Sequence, residues 1–96
     1  MKWQVVTAEV PDRARERYLA AWTEWSGILF QMGIETELLE REESPGRFVE
    51  ITRFGAGEEA ALGDDRLVRL QADLEAASER RAGDLALHRE VDADGG

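Results

Sequence analysis

The sequence predicts a single α+β domain whose elements follow the order β-α-β-β-α-β. Segments rich in β-branched and aromatic residues alternate with longer segments in which apolar residues recur every three or four positions. Glycine, proline and aspartate lie between these segments and mark their ends. The chain has 96 residues, a length that supports one hydrophobic core. We therefore expect one domain over residues 1–91 and a flexible polar tail over residues 92–96.

The first half of the chain predicts a strand, a long helix and a second strand. Residues 3–10 read WQVVTAEV, a composition typical of strands, and Pro11 and Asp12 mark the start of a helix over residues 13–32. One face of that helix collects its apolar positions, namely Ala14, Tyr18, Ala21, Trp22, Trp25, Leu29 and Met32. Gly33 then ends the helix. Residues 34–42 alternate in polarity and favour a strand, although their Glu-Leu-Leu-Glu-Arg-Glu run also has helical propensity.

The second half predicts the same order of a strand, a helix and a strand. Residues 44–46, Ser-Pro-Gly, indicate a turn, and residues 47–54 read RFVEITRF, a strand that completes a hairpin. Residues 58–62 favour a short helical turn, and Asp64 is a suitable N-cap for a second helix that ends at Gly83. The apolar face of this helix is expected to contain Leu67, Leu70, Leu74 and Ala77, with Arg81 at the same spacing. Residues 84–91 read DLALHREV and predict a last strand with Leu85 and Leu87 on one side.

This element order is the split β-α-β arrangement of ferredoxin-like folds. Right-handed crossovers place both helices on one face of a four-stranded antiparallel sheet, in the strand order 4-1-3-2. The two central strands, however, carry apolar residues on both faces: Trp3 and Val5 alternate with Val6 and Ala8 on the first of them. Because the helices cover only one face, we expect a second copy to cover the other and form a homodimer. The alternative is a monomer that tolerates scattered exposed apolar residues.

The charge and composition exclude several classes of function. Lys and Arg number 12 against 21 Asp and Glu, so the net charge of −9 disfavours binding to nucleic acids and to anionic membranes. The sequence has no cysteine, which excludes disulfides and thiolate chemistry. It has no apolar run of the length that a membrane span requires and no apolar leader segment. These features favour a cytoplasmic protein.

The layout of residues 3–91 resembles the dimeric α+β barrel superfamily, which includes antibiotic-biosynthesis monooxygenases, haem-degrading monooxygenases and rhamnose mutarotases. The long helix passes through Gly33 and Ile34 directly into a strand, and the strand over residues 48–54 leads into the run Gly57-Glu58-Glu59-Ala60. Tyr18 and Trp22 are similar to a pair on the mutarotase helix. The resemblance implies a cofactor-independent monooxygenase or isomerase that acts on an aromatic or polyketide-like substrate as a homodimer.

Two departures limit what this resemblance implies. Haem-degrading members share an asparagine on the first strand, and this sequence has no asparagine. The mutarotase helix has a histidine between its tyrosine and tryptophan, where this chain has Leu19, Ala20 and Ala21. Haem degradation and mutarotation therefore do not carry over to this chain.

His88 and Glu50 are the candidate catalytic residues. His88 is the only histidine. If it faces the cavity between the two sheets of the expected dimer, it can act as a general base or a haem ligand. Otherwise it is a surface histidine of an edge strand. Glu50 lies between Phe48 and Phe54 on a strand face, where burial would suit it to acid–base work. The alternative for Glu50 is an ion pair, for which the candidate partners are Arg47, Arg53 and Arg89.

Four aromatic residues are candidates for a ligand-binding wall: Trp22, Trp25, Phe48 and Phe54. The alternative for each of them is a place in the hydrophobic core, which the helical spacing of Trp22 and Trp25 favours. The acidic runs lack the spacing of a calcium loop, and no glycine-rich phosphate loop occurs, so neither a metal nor a cofactor is expected. No serine has the sequence context of a catalytic nucleophile. The sequence thus leaves two functions open. One is an enzyme that binds a small apolar or aromatic ligand, and the other is a non-enzymatic protein-interaction module that uses its exposed sheet face.

Overall fold

A computed structural model describes residues 2–83 and the strand pairing of residues 88–89. Within it lie the strands β1 (Lys2–Glu9), β2 (Glu35–Glu40), β3 (Arg47–Phe54), β4 (Arg80–Gly83) and β5 (His88–Arg89), and the helices α1 (Arg15–Gln31) and α2 (Asp65–Ala76). Short 3-10 turns, Asp12–Ala14 and Glu58–Gly63, precede the two helices. The predicted tail, residues 92–96, lies outside the described residues, as do Leu85 and Leu87.

The strands form one antiparallel sheet in the order β2-β3-β1-β4, and β5 pairs with the other end of β1. This is the predicted order 4-1-3-2, and the ferredoxin-like fold is confirmed. The hairpin of β2 and β3 turns through Gly46, whose φ of 91° lies in the left-handed region that favours glycine. Gly33, with φ of 79°, ends α1 as predicted. The side chain of Asp64 accepts a hydrogen bond from the Arg66 N–H and caps α2.

The second helix is shorter than predicted, and the prediction for Arg81 is wrong. α2 ends at Ala76, and Arg80–Gly83 forms β4 instead of the last helical turn. The Glu79 N–H donates to the Glu9 carbonyl at 2.8 Å, which joins the chain to the edge of β1 directly after the helix. Arg81 therefore lies on a strand paired with β1, because the sheet edge offers hydrogen bonds that one more helical turn would leave unmade.

The core lies between the two helices and the even-numbered residues of β1 and β3. Its members include Ala8, Tyr18, Trp22, Trp25, Leu29, Phe48, Phe54, Leu67, Leu70 and Leu74. The apolar positions predicted for both helices are thus buried, with the exception of Met32, which is half-buried. β1 and β3 carry apolar residues on both faces, as predicted. Their even-numbered residues meet the helices, and their odd-numbered residues point away from them.

The face of the sheet opposite the helices, here called the outer face, is built from cross-strand rows. Two rows cross the middle of this face. The first row contains Leu39, Val49, Thr7 and Ala82, and the second contains Glu37, Ile51 and Val5. Trp3, Val5, Val49 and Ile51 are only half-buried there, and Leu39 is 51% exposed. Among the described residues no helix is long and apolar enough to cross a membrane.

Candidate functional site

A buried ion pair forms the polar centre of the layer between helices and sheet. Both carboxylate oxygens of Glu50 accept hydrogen bonds from the Arg81 guanidinium, each at 2.7 Å. The Tyr18 hydroxyl donates a third hydrogen bond to Glu50 at 2.5 Å. β3, β4 and α1 each contribute one of these residues. The bidentate geometry is the strongest form of arginine–carboxylate pairing, because two parallel hydrogen bonds are made together.

The environment holds Tyr18 and Arg81 in fixed protonation states. Burial raises the pKa of the Tyr18 hydroxyl far above its usual value, and the negative charge of Glu50 raises it further. Burial is the largest single effect and opposes the charge of Arg81, but the hydrogen bonds to Glu50 and the negative charge of that carboxylate together raise the pKa of the guanidinium. Around neutral pH Tyr18 therefore stays a neutral phenol and Arg81 a charged guanidinium.

The partner of Glu50 differs from those that the sequence offers. Arg47 and Arg53 are odd-numbered residues of β3 and lie on the outer face, whereas Glu50 lies on the face toward the helices. Side chains of opposite parity on one strand cannot meet, so neither arginine reaches Glu50. Sequence reasoning misses Arg81 and Tyr18 as site residues, because helical spacing places Arg81 on the second helix and Tyr18 belongs to an apolar stripe. The side chain of Arg89 lies outside the described part of the chain.

The four aromatic residues predicted to line a ligand site lie together in the core. Trp22 and Trp25 lie on α1, and Phe48 and Phe54 lie on the helix-facing side of β3, each less than a tenth exposed. The rings of Tyr18 and Phe48 pack with their centroids 4.8 Å apart at an angle of 34°. Of the four, Phe48 thus packs against Tyr18, whose hydroxyl donates to Glu50.

Trp25 carries an unused hydrogen-bond donor in this core. Its indole Nε1 is buried, and no acceptor contacts it among the described residues. Trp25 as a whole is only 4% exposed, so bulk water does not compensate for the missing partner. Buried donors are almost always paired, and an exception often marks a place where a water or a ligand is bound.

His88 is placed by its backbone alone. It lies on β5, and its register partner is Trp3 on β1. Its side chain is outside the described residues, so its predicted role as a base stays a prediction.

A cleft of about 460 Å³ opens beside the ion pair, between α2 and the edge formed by β1 and β4. Arg81 and Gln4 line it from the sheet, and Gln71, Glu75 and Ser78 line it from the helix and the segment that follows. Within the part of the chain that is described, no group of three or more His, Asp or Glu side chains could hold a metal ion. The arrangement can thus bind polar atoms of a small molecule through arginine, amide and hydroxyl groups.

Comparison with known proteins identifies the fold. No protein-family model matches the chain, and no curated protein matches it either. The crystal structure of an antibiotic biosynthesis monooxygenase superposes with a TM-score of 0.79 at 18% identity, covering 96% of this chain and 100% of that chain. SnoaB, a cofactor-independent oxygenase from Streptomyces nogalater solved as a point mutant, gives a TM-score of 0.80 at 15% identity over 99% of this chain and 97% of its own.

The chain has the fold of the antibiotic biosynthesis monooxygenases. A conserved protein from Methanosarcina mazei Go1 shares this fold, with a TM-score of 0.80 at 10% identity over 95% of this chain and 94% of that chain. The resemblance drawn from the sequence layout is therefore confirmed at the level of the fold. The antibiotic biosynthesis monooxygenase fold brings the Glu50 ion pair, the Trp25 indole and the cleft beside α2 to the same side of the sheet.

Proposed function

We propose that this chain is a cytoplasmic, cofactor-independent oxygenase that binds a small aromatic substrate between its helices and its sheet. The observation that carries the proposal is the buried indole N–H of Trp25, which has no acceptor among the described residues. An oxygen atom of a bound substrate would satisfy this donor. The likeness to SnoaB, a cofactor-independent oxygenase, supports the reaction class.

Oxygenation without a cofactor requires a substrate that itself supplies the electrons. A base removes a proton from an activated CH₂ group beside an aromatic ketone, and the resulting enolate gives one electron to dioxygen. Recombination of the substrate radical with the superoxide forms a peroxide anion on that carbon, and the base returns its proton to give a hydroperoxide. Loss of water from the hydroperoxide leaves a second ketone. The balance is one CH₂ group and one O₂ giving one C=O and one H₂O.

Most of the predicted site residues have a role in this proposal. His88 has no step in it, because its register partner Trp3 lies on the outer face, on the other side of the sheet from Trp25. Trp25 donates its N–H to the enolate oxygen, where negative charge develops. Trp22, Phe48 and Phe54 supply the apolar wall. Glu50 acts through its hydrogen bonds to Tyr18 and Arg81, which makes it a positioning residue.

The proposal includes a homodimer that packs the outer faces of two sheets together. Trp3, Val5, Val49 and Ile51 leave a half-buried apolar strip along the centre of that face. A second copy would remove this strip from water, which is the main driving force of association.

Oxygen uptake by the full chain tests the activity directly. A panel of polycyclic aromatic ketones and phenols is offered without metal or cofactor, and uptake is followed with an oxygen electrode. We expect saturable uptake that Trp25→Phe lowers at least about tenfold in kcat/KM, since this change removes the N–H and keeps an aromatic ring. Trp3→Phe on the outer face is the matched control and leaves kcat/KM within about twofold.

Two results would count against the oxygenase. One is the absence of uptake and of binding across the whole panel, and the other is an equal effect of Trp25→Phe and Trp3→Phe. In that case the apolar strip of the outer face favours the second candidate, a protein-interaction module, which an interaction screen with Ile51→Lys as the negative control would test.

A further inference from the structure

One end of the outer face is rich in arginine although the chain as a whole is acidic. Backbone pairing sets Arg47 beside Glu9 and Glu9 beside Arg80 in one row across the sheet. Arg41 extends the row, because its N–H donates to the Arg47 carbonyl at 2.8 Å. This row, here called the basic row, holds three arginines and one glutamate in a chain whose net charge is −9.

The basic row borders a cleft of about 440 Å³, a size common among small-molecule sites. All four of its members line this cleft. The next row of the sheet supplies the floor with Val49, Thr7 and Ala82. The hydroxyl of Thr7 donates to the Ala82 carbonyl at 2.9 Å, which leaves its methyl group for contact with a ligand. A cleft with cationic sides and a largely apolar floor is therefore open on the outer face.

The positive charge of the cleft is only partly neutralised. Arg47 pairs with Glu9 at 3.0 Å. Within the described part of the chain, neither Arg41 nor Arg80 forms a salt bridge with a carboxylate. A guanidinium presents its N–H groups as a planar fork that matches a carboxylate. Two such groups around one cavity favour an anionic ligand over a neutral one.

We propose that this cleft binds the carboxylate of a small organic acid, with the acid's apolar body lying over Thr7 and Ala82, beside the strip that the proposed dimer covers. Arg41 and Arg80 contact the carboxylate, and the floor of the cleft contacts the body. The site lies on the face of the sheet opposite Trp25 and Glu50. It is therefore a second site, and it does not depend on the oxygenase activity.

The titration of the ¹⁵N-labelled full chain with 2-naphthoate tests this site. We expect saturable shifts at the backbone amides of Thr7, Val49 and Ala82. The neutral analogue 2-naphthamide, which has the same ring system, should bind at least about tenfold more weakly because it lacks the charge. Arg80→Gln and Arg41→Gln should each weaken naphthoate binding about fivefold.

Two control variants separate this site from nonspecific charge effects and from the oxygenase site. Arg69→Gln changes an exposed arginine of α2 and should leave naphthoate binding unchanged. Trp25→Phe should also leave it unchanged, so that a failure of the oxygenase proposal and a failure of this one are distinguishable. Equal binding of naphthoate and naphthamide, or shifts confined to the cleft beside α2, would overturn the proposal. So would a loss of dimer mass in Arg80→Gln without any loss of naphthoate affinity, since the row would then serve contact between copies.

Discussion

At the scale of single residues, the buried carboxylate of Glu50 is the group that most needs hydrogen-bond partners to compensate for its loss of hydration. It is 5% exposed, and three hydrogen bonds from Arg81 and Tyr18 compensate for the water that it loses. The ion pair of Glu50 and Arg81 joins β3 to β4 across β1, so it also fixes the position of the edge strand β4. Removing one partner leaves an uncompensated charge in the core.

Arg81→Met tests that role. The variant should lose about 3–5 kcal/mol of unfolding free energy, because Glu50 then stays buried without a counter-ion. Urea unfolding followed by circular dichroism measures the loss. Glu35→Gln is the control, since it removes one partner of the exposed pair of Arg53 and Glu35 and should cost less than about 1 kcal/mol. Equal costs for the two variants would mean that solvent screens Glu50 in the native state.

Glu40 makes the stability depend on pH in the acidic range. The Arg15 side chain and the backbone N–H of Gly46 hydrogen-bond its carboxylate and lower its pKa from 4.5 to about 2. A carboxyl group whose folded pKa is depressed stabilises the protein above its unfolded pKa, and that contribution is lost as the pH falls through the folded pKa. The contribution of Glu40 should therefore be complete above pH 4.5 and absent below about pH 2.

Glu40→Gln provides the measurement. We expect wild type to be more stable than the variant at pH 6, with the difference shrinking steadily between pH 4.5 and pH 2. Urea unfolding at a series of pH values follows this change. Glu37→Gln, an exposed change on the same strand, should show no such trend relative to wild type. A difference between wild type and Glu40→Gln that is independent of pH would contradict the assignment.

At the scale of elements, the turn between β2 and β3 depends on a single glycine. Gly46 has a φ of 91°, and a Cβ placed there would lie 2.7 Å from the Val10 carbonyl oxygen. The Gly46 carbonyl in turn accepts a hydrogen bond from the Val10 N–H at 2.8 Å. This glycine therefore joins the hairpin to the end of β1, and a side chain would disturb both.

A pair of glycine substitutions tests this element. Gly46→Ala should lose about 1–3 kcal/mol of stability through backbone strain and the contact with Val10. Gly27→Ala is the matched substitution, since Gly27 lies in α1 and a methyl group added there would have no neighbouring atom within 4 Å. It should gain about 0.5–1 kcal/mol, because alanine is the better helix former. Thermal unfolding of both variants measures the two effects, and a neutral Gly46→Ala would show that the turn relaxes freely.

At the scale of the whole molecule, the main question is what covers the outer face of the sheet. The helices bury only the even-numbered residues of β1 and β3, so the odd-numbered apolar residues form a strip of their own. The centre of that strip is the directly paired Val5 and Ile51. If two copies pack through it, a charge at this position disrupts the assembly while leaving the core intact.

Ile51→Lys tests the dimer by light scattering over a dilution series. We expect wild type to have about twice the chain mass of 10.8 kDa and the variant to have the mass of one chain. Val68→Lys is the control, because Val68 is a 52% exposed apolar residue of α2 on the helix layer, and the substitution should leave the dimer intact. A wild type with the mass of one chain at every concentration would exclude the dimer.

Local signals in the amino-acid sequence are enough to establish the order of the elements and the strand order of the sheet. These signals are the helical spacing of residues such as Tyr18, Trp25 and Leu29, the alternation over β3, and the glycines after α1 and in the hairpin. They also establish that β1 and β3 are apolar on both faces, because alternation along a strand is a property of the chain alone.

The end of α2, the face that meets the helices and the partner of Glu50 depend instead on tertiary packing. Residues 77–83 continue the helical spacing in sequence, but the free edge of β1 binds Arg80–Gly83 as a strand. That pairing brings Arg81 to Glu50, 31 residues away along the chain. Contacts between residues so far apart depend on how the elements pack, and local propensity therefore does not predict them. The same reason explains why the basic row, assembled from three strands and a loop, emerges only in the folded sheet.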